Sequence, residues 1–305
     1  MRKIVLTVLI AAMVLPMAVT AAGRQEAAQP DRITIGMSVP GLQFPFFVIM
    51  KEEAEAAAAS LGVELLFADA LNDSAKQAAD IESFIARGVS AILISPMTVD
   101  ALVPVIEDAV SRGIPVATVD RQANTDQVLI HVGADNVEGG RAAARYIIEQ
   151  LGGSGSVIQL EGTPGASAAI DRKAGFDEVI NASNIRVLAS QPADFGRAQG
   201  QTVMENLIQA HPDFDAVFGA NDEMIIGAIE AMRGAGIDAG SKVTVGFDAT
   251  PDAFSYIEDG LLNATVDQFP GEQASRALEA LVRFIQNGTR PSQAVQLVNP
   301  LPVGR

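Results

Sequence analysis

The sequence predicts an α/β protein of two lobes, each built on a doubly wound parallel sheet, joined by a hinge of three strands. Short apolar runs typical of buried strands alternate along the chain with amphipathic stretches of helical length. The alternation starts a second time near residues 133–136, which indicates a repeat of the same architecture. The chain has 305 residues, 49% of them hydrophobic, and is therefore long enough to bury two cores.

The first repeat is predicted to hold five strands and three helices. The strands are residues 33–38, 63–67, 91–95, 114–119 and 128–132, and the helices are residues 48–61, 74–87 and 99–112. Strands separated by helices favour βαβ crossovers, which bring parallel strands side by side in one sheet.

The second repeat begins with a helix over residues 136–151. Its strands are predicted at residues 157–160, 187–190, 216–219, 243–246 and 264–266, with helices at 168–180, 197–209 and 222–235. A last helix, residues 271–287, most simply returns to the first lobe. We therefore expect a first lobe of residues 31–134 plus 269–296 and a second lobe of residues 135–268 plus 297–305.

The amino terminus has the pattern of a secretory signal peptide. Met1-Arg2-Lys3 is basic, residues 4–19 are apolar, and small residues follow at positions 20–23. The apolar run is shorter than the about 20 residues that a membrane-spanning helix needs, which favours a cleaved signal over an anchor. We expect residues 1–22 to be removed and the mature protein to be exported.

Composition and motifs favour a binding protein over an enzyme. The net charge of −16 argues against binding of nucleic acid or of an anionic membrane surface. There is no cysteine, and His131 and His211 have no metal-ligand partner nearby in sequence, so we predict no metal and no cofactor. No dinucleotide fingerprint follows the first strand, and neither a phosphate-binding loop nor a G-x-S-x-G nucleophile elbow occurs.

The fourth predicted strand ends in Asp120-Arg121, an acid beside a base. Open α/β sheets bind ligands beyond the carboxyl ends of their strands. An ionised aspartate accepts hydrogen bonds and a guanidinium donates them, so this pair can hold adjacent hydroxyls of a polar ligand. The alternative interpretation is a surface ion pair, which would contribute little stability.

Other predicted strand ends carry similar side chains. They are Phe44-Pro45-Phe46-Phe47, Phe195, Asn221, Phe247-Asp248 and Gln268, with Arg172 at the start of a helix. Each one alone is more simply a loop cap or a core residue. Their shared position predicts a sugar site, because a sugar presents apolar C–H faces to rings and hydroxyl edges to polar groups. The nearby arginines are expected to keep Asp120 and Asp248 ionised, which suits binding.

Five stretches carry a family resemblance. They are Asp120-Arg121-Gln122-Ala123, Ala134-Asp135-Asn136-Val137, residues 188–195, Asn221-Asp222-Glu223-Met224 and Val245-Gly246-Phe247-Asp248. Together they resemble the ribose-binding proteins of bacterial ABC importers, within the wider family of sugar-binding proteins and repressor cores. The resemblance covers residues 33–297. It implies a type I periplasmic binding protein whose two lobes close over one monosaccharide, a periplasmic location, and a permease in the inner membrane as partner.

The resemblance also implies individual sugar contacts. They are Ser38, Phe46, Phe47, Asp120, Arg121, Arg172, Phe195, Asn221, Phe247, Asp248 and Gln268. One position departs from the pattern, because Phe44 stands where ribose binders usually have an asparagine before Pro-Phe-Phe. The loop from Ser38 to Pro45 is also longer, and Gln43 is a candidate to replace the missing amide. Ribose is the first expectation, with another pentose, a deoxy or methylated sugar, or a related hexose as alternatives.

Two further functions are compatible with the predicted fold. A binding protein that presents its sugar to a chemoreceptor would use the same site. A repressor-type ligand-binding core would need a basic helix-turn-helix before the first lobe, where the sequence has the apolar leader instead. We expect a monomer with no catalytic residue and no nucleic-acid partner.

Overall fold

The computed structural model describes residues 32–304. The predicted signal peptide, residues 1–22, lies outside these residues. The predicted α/β class is confirmed, because the described strands form two six-stranded, mainly parallel sheets. Within the same range, no helix has both the length and the apolar character needed to cross a membrane.

Strands and helices alternate along residues 32–304. The strands are β1 (Thr34–Val39), β2 (Glu64–Asp69), β3 (Ala91–Ile94), β4 (Val116–Val119), β5 (Ile130–Ala134), β6 (Ser154–Glu161), β7 (Asn184–Pro192), β8 (Ala216–Gly219), β9 (Val243–Val245), β10 (Ala264–Asp267), β11 (Val295–Val298) and β12 (Leu301–Gly304). The helices are α1 (Pro45–Leu61), α2 (Ser74–Ala86), α3 (Val103–Ser111), α4 (Asn136–Gln150), α5 (Ser167–Asn181), α6 (Arg197–Ala210), α7 (Asp222–Gly234), α8 (Pro251–Glu258) and α9 (Pro270–Asn287).

The first sheet has the strand order β11-β5-β4-β3-β1-β2, and its neighbouring strands are all parallel. Its central strands are short apolar runs, and every residue of β3 and β4 is buried. Helices α1 and α9 pack against each other, and α9 also contacts β3, β4 and β5. Buried strands of this kind need helices on their faces, which explains the near-continuous apolar sequence of β3.

The second sheet has the order β12-β10-β9-β8-β6-β7. Its strands are parallel except for β12, which pairs with β10 in the antiparallel direction. Helix α4 packs against α5 and contacts β9, β10 and β12, while α6 packs against α7. The two repeats expected from the sequence therefore correspond to two sheets with similar helical layers.

The chain passes between the two sheets three times. The crossovers lie between β5 and α4, between β10 and α9, and between β11 and β12. Strand β11 ends at Val298, which pairs with Ala134, so the last crossover falls after residue 298 instead of at residues 296–297. The carboxyl ends of β4, β8, β9 and β10 lead into the loops that carry the candidate site.

Several boundaries differ from the sequence expectation for local reasons. Helix α1 begins at Pro45, because proline fits the first helical position, where no backbone N–H is needed. Helix α3 begins at Val103, four residues later than expected, with a proline in its first turn. Helix α8 was not predicted; it begins after Thr250, whose side chain caps it by accepting from the N–H of Ala253. Strand β11 was also missed, because Gln296 interrupts its apolar residues.

Candidate ligand-binding site

A cavity lies where loops from both sheets meet. Its lining residues are Phe44, Phe46, Phe47, Asp120, Arg121, Ala168, Arg172, Phe195, Asn221, Asp248 and Gln268. All of them except Ala168 were expected at the site from the sequence. The empty space among these side chains is about 290 Å³, and part of it is continuous with solvent.

The start of α1 supplies an aromatic wall. The rings of Phe46 and Phe47 meet edge to face, with centroids 5.2 Å apart. Phe44, which precedes the helix, contacts Phe47 in the same manner at 6.3 Å. All three rings are buried. Such pairs add about 0.5–1.5 kcal/mol beyond the burial of their surface, so the wall is held together by its own contacts.

Phe195 lines the cavity from the second repeat. It follows β7 in a left-handed backbone conformation, with a φ of +60°. A side chain at position 162 would overlap the ring of Phe195, so Gly162 provides the space for it. The Asn221 side chain donates from Nδ2 to the Phe195 carbonyl at 3.0 Å, and its Oδ1 accepts from the N–H of Met224 at 3.0 Å. Asn221 thus caps α7 and fixes the loop that carries Phe195.

Asp120 and Arg121 are buried at the end of β4. Asp120 also has a left-handed backbone, with a φ of +60°. Its Oδ2 accepts from Ser95 Oγ at 2.9 Å and lies 3.7 Å from Arg121 Nε. Arg121 Nη1 donates to the carbonyl of Met97 at 3.1 Å. The pair is therefore an ordered part of the cavity and not a surface ion pair.

Arg121 contacts aromatic rings from both repeats. Its guanidinium carbon lies 5.5 Å from the centroid of Phe47 and 5.1 Å from the centroid of Phe195. Cation–π contacts of this kind favour the charged guanidinium against the faces of the rings. The arrangement links the two halves of the cavity through one side chain.

Arg172, on α5, is held by four polar groups. Nε donates to Asn136 Oδ1 at 2.8 Å, Nη1 to the Ala220 carbonyl at 2.7 Å, and Nη2 to Gln268 Oε1 at 3.2 Å. Asp248 Oδ1 lies 3.5 Å from Nη1 and accepts from Gln268 Nε2 at 2.6 Å. Asn136 was part of a quoted motif but was not expected at the site. These bonds fix the plane of the guanidinium.

Phe247 supports the site from beneath instead of lining it. The guanidinium carbon of Arg172 lies 3.7 Å from the centroid of its ring. A side chain at position 139 would overlap the same ring, so Gly139 lets α4 approach it closely. Phe247 is fully buried and is not among the residues that line the cavity. The expected contact of Phe247 with the sugar stays a prediction, and in this structure the ring stacks on Arg172.

Ser38 and Gln43 do not line the cavity either. Ser38 is fully buried at the end of β1, and its hydroxyl has no hydrogen-bond partner among residues 32–304. Gln43 is exposed, and its side-chain amide lies beside Gly41. The longer loop therefore does not bring the amide of Gln43 into the cavity lining beside the ring of Phe44.

Burial dominates the electrostatics of the site. It raises the pKa of Asp120, although Arg121, Arg172 and the hydrogen bond from Ser95 oppose it. It also raises the pKa of Asp248 well above the ordinary value, against the attraction of Arg172. The arginines were expected to keep both acids ionised, and they do lower both pKa values, but desolvation by burial is the larger influence and acts in the opposite direction. Burial lowers the pKa of both arginines in turn, with the carboxylates opposing it.

A buried acid lies directly behind the site. Asp222, the first residue of α7, accepts from the N–H of Thr250 at 2.8 Å and from its Oγ1 at 3.0 Å. Thr265 Oγ1 donates to the other carboxylate oxygen at 2.6 Å. Burial raises the pKa of Asp222 to about 7, although these hydrogen bonds lower it. Asp222 stood in a quoted motif, yet its sequence position gave no sign of this network.

Two hydrogen bonds join the repeats beside the cavity. The N–H of Val99 donates to the Gly165 carbonyl at 2.9 Å, and the N–H of Gln122 donates to Ser167 Oγ at 2.8 Å. Val99 and Gln122 follow strands of the first sheet, whereas Gly165 and Ser167 follow β6. The rims of the cavity are thus in contact in this structure.

One of the two histidines is buried in the first repeat. His131 is buried in β5, where its Nδ1 lies 2.9 Å from Thr118 Oγ1. Burial lowers its pKa to about 4. Residues 32–304 contain no cluster of three His, Asp or Glu side chains suited to a metal ion.

Comparison with known proteins identifies the class. Residues 35–289 match the family model described as periplasmic binding protein domain. The ribose import binding protein RbsB of Bacillus subtilis is 44% identical, over 81% of this chain and 80% of that protein. The protein of the same name from Escherichia coli is 41% identical, over 83% of this chain and 85% of that protein.

Superposition on a solved structure also places the chain in this class. The periplasmic component of the arabinose ABC transporter from Shewanella sp. ANA-3, bound to L-arabinofuranose, is 33% identical and superposes with a TM-score of 0.85. The match covers 89% of this chain and 91% of that one. The fold is thus that of a two-lobed binding protein. The chain belongs to the periplasmic binding protein family, and its resemblance to the ribose-binding proteins is confirmed.

Proposed function

We propose that this protein is the sugar-binding component of an ABC importer and holds one monosaccharide between its two lobes. The cavity is the observation that carries the proposal. Its walls combine phenylalanine rings from both repeats with buried polar side chains, some of which donate hydrogen bonds while others accept them. A monosaccharide requires this combination, because its C–H faces are apolar and its hydroxyls both donate and accept.

The charges at the cavity indicate a neutral ligand. Two aspartates and two arginines line it, so their formal charges cancel. Both arginines are already next to carboxylates, at 3.7 Å for Arg121 and 3.5 Å for Arg172. A phosphate or carboxylate on the ligand would compete with these pairs and would add an uncompensated buried charge, which is costly.

The names of the relatives point to ribose as the first ligand to test. Both relatives from Bacillus subtilis and Escherichia coli, at 44% and 41% identity, are named ribose import binding proteins. In this proposal the protein is exported through a signal peptide of residues 1–22, acts as a periplasmic monomer, and delivers its sugar to an inner-membrane permease. Presentation of the loaded form to a chemoreceptor would use the same closed state. No catalytic step is part of the proposal.

Lobe closure is the mechanism proposed for capture. The proposed lobes are residues 31–134 plus 269–296 and residues 135–268 plus 297–305. In the structure β11 continues to Val298 before the chain passes to β12. A ligand that contacts both lobes binds the closed form better and shifts the population towards it. The bonds from Val99 and Gln122 across the rim would then form only when the lobes close.

A thermal-shift screen of the purified protein tests the proposal. We expect D-ribose or another neutral pentose or hexose to raise Tm by about 5–10 °C at 100 times Kd. D-ribose 5-phosphate serves as the charged control and should have no effect. If no neutral monosaccharide raises Tm at millimolar concentration, the proposed function is wrong.

A further inference from the structure

One segment of the cavity lining supplies only aromatic side chains. The segment at the start of α1 contributes Phe44, Phe46 and Phe47 to the lining. The polar side chains of the lining belong to other segments and are Asp120, Arg121, Arg172, Asn221, Asp248 and Gln268. The distribution of polar groups around the ligand is therefore uneven.

Neither of the polar side chains nearest in sequence corrects this imbalance. Gln43 is exposed beside Gly41, and Ser38 is not part of the lining. Phe44 is 7% exposed, and its ring is fixed by the edge-to-face contact with Phe47. Among the side chains that line the cavity, the residues from 38 to 47 thus supply no hydrogen-bond donor or acceptor.

This wall has a consequence for ligand chemistry. A hydroxyl that faces it would lose its water without gaining a hydrogen bond from these side chains, which is unfavourable. A C–H group or a methyl group in the same place would gain contact with the rings and lose nothing. Ligands with fewer hydroxyls at this edge are therefore not penalised as they would be at a polar site.

We propose that Phe44 is a specificity-determining residue that adapts the site to a monosaccharide with an apolar edge, namely a deoxy or C-methyl sugar. This inference rests on the proposed sugar-binding function and refines its substrate class. Sites built on hydrogen bonds strongly reject analogues that lack a hydroxyl, whereas apolar sites discriminate weakly. The native protein should therefore accept a deoxy sugar at this edge as well as the parent sugar, or better.

The test is isothermal titration of matched sugar pairs. The pairs are D-ribose with 2-deoxy-D-ribose, D-ribose with 5-deoxy-D-ribose, and D-galactose with D-fucose. For at least one pair, the native protein should bind the deoxy sugar within about threefold of the parent or more tightly. Phe44→Asn should move that ratio by about tenfold or more towards the parent, because the new amide can pair with the hydroxyl.

Two further variants separate polarity from shape. Phe44→Leu keeps the wall apolar and should leave the ratio within about threefold of the native value. Phe254→Asn makes the same exchange at an exposed position on α8 and should change no affinity. Thermal melting of each variant checks that it is folded.

Three results would overturn the inference. An unchanged ratio in folded Phe44→Asn shows that Phe44 does not face the decisive edge. The inference is also wrong if the native protein binds every deoxy sugar more than about 100-fold more weakly than its parent sugar. This result needs no variant, so the inference stays testable if Phe44→Asn fails to fold. Failure of the native protein to bind any of these sugars would instead refute the proposed function, and the inference with it.

Discussion

The guanidinium carbon of Arg172 lies 3.7 Å above the centre of the Phe247 ring. Both side chains are buried, and the guanidinium packs against the face of the ring. A desolvated cation–π contact contributes about 2 kcal/mol. Phe247 therefore orients a ligand-binding group without lining the cavity itself.

Replacing Phe247 should weaken sugar binding from beneath the site. We expect Phe247→Leu to raise Kd by about tenfold or more, because the guanidinium of Arg172 loses its support. Phe218→Leu is the matched control, since Phe218 stacks on Phe176 at 4.4 Å in the same repeat and is not part of the lining. Titration calorimetry should show an effect for Phe247→Leu alone. Equal affinities for both folded variants would contradict this role.

Phe195 is expected to stack on one face of the sugar, opposite Phe47. Phe195→Ala should weaken binding by about 2 kcal/mol or more through lost stacking and burial. Phe214→Ala also truncates a buried phenylalanine, but Phe214 lies against Lys242 and away from the cavity. It should lower stability and leave Kd unchanged. Native affinity in folded Phe195→Ala would rule out the stacking.

Asp120 is expected to accept hydrogen bonds from the sugar. Asp120→Ala should cost several kcal/mol of binding, because it leaves buried partners unpaired in a closed site. Ser95→Ala removes only the 2.9 Å bond that orients the carboxylate and should cost about 1 kcal/mol. Calorimetry on both variants checks the order. A larger loss for Ser95→Ala than for Asp120→Ala would contradict these roles.

Asp222 should make a contribution to stability that falls as pH rises. Burial raises its pKa from the ordinary value of 3.8 to about 7 in the folded protein. The folded state therefore binds more protons than the unfolded state between these values, and the free energy of unfolding decreases with rising pH. This contribution is fully present below pH 3.8 and is lost as pH rises through about 7.

Urea unfolding between pH 4.5 and 7.5 measures this effect. The buried acids Asp120 and Asp248 act in the same direction as Asp222, whereas His131, whose pKa burial lowers to about 4, acts against them. Compared with the native protein, Asp222→Asn should therefore lose less stability, or gain more, as pH rises across this range. Asp126→Asn, at an exposed position, should keep the native slope. An identical slope in Asp222→Asn and the native protein would show that another group causes the fall.

The contact between Gln122 and Ser167 should stabilise the closed form. Ser167→Ala removes the 2.8 Å bond and should weaken sugar binding by about 1 kcal/mol, mainly through faster sugar release.

Small-angle scattering should show a smaller radius of gyration when sugar is added to the native protein. An unchanged scattering curve at saturating sugar would contradict lobe closure.

The sequence predicted the elements well because its apolar runs are short and its parallel strands are buried on both faces. It also predicted which strand ends meet, since the carboxyl ends of parallel strands lie at one edge of a sheet. That reasoning placed Phe46, Asp120 and Arg172 together, and all three line the cavity, while their contact with a sugar stays a prediction.

The direction of individual side chains could not be predicted in the same way. Asp120 and Phe195 have left-handed backbone conformations, which the sequence does not predict. The backbone conformation at such a position determines the direction of the side chain. Phe247 follows the same strand-end rule, yet its ring lies under Arg172. The helix glycine Gly139 was missed for the same reason, because its role depends on a ring from a distant strand.

A crystal structure with the monosaccharide that stabilises the protein most would test the central claim most directly. We predict one sugar per chain, with its ring between Phe47 and Phe195 and its hydroxyls within hydrogen-bond distance of Asp120, Arg172 and Asp248. A sugar bound elsewhere, or bound in the cavity without contact to both lobes, would contradict capture by lobe closure.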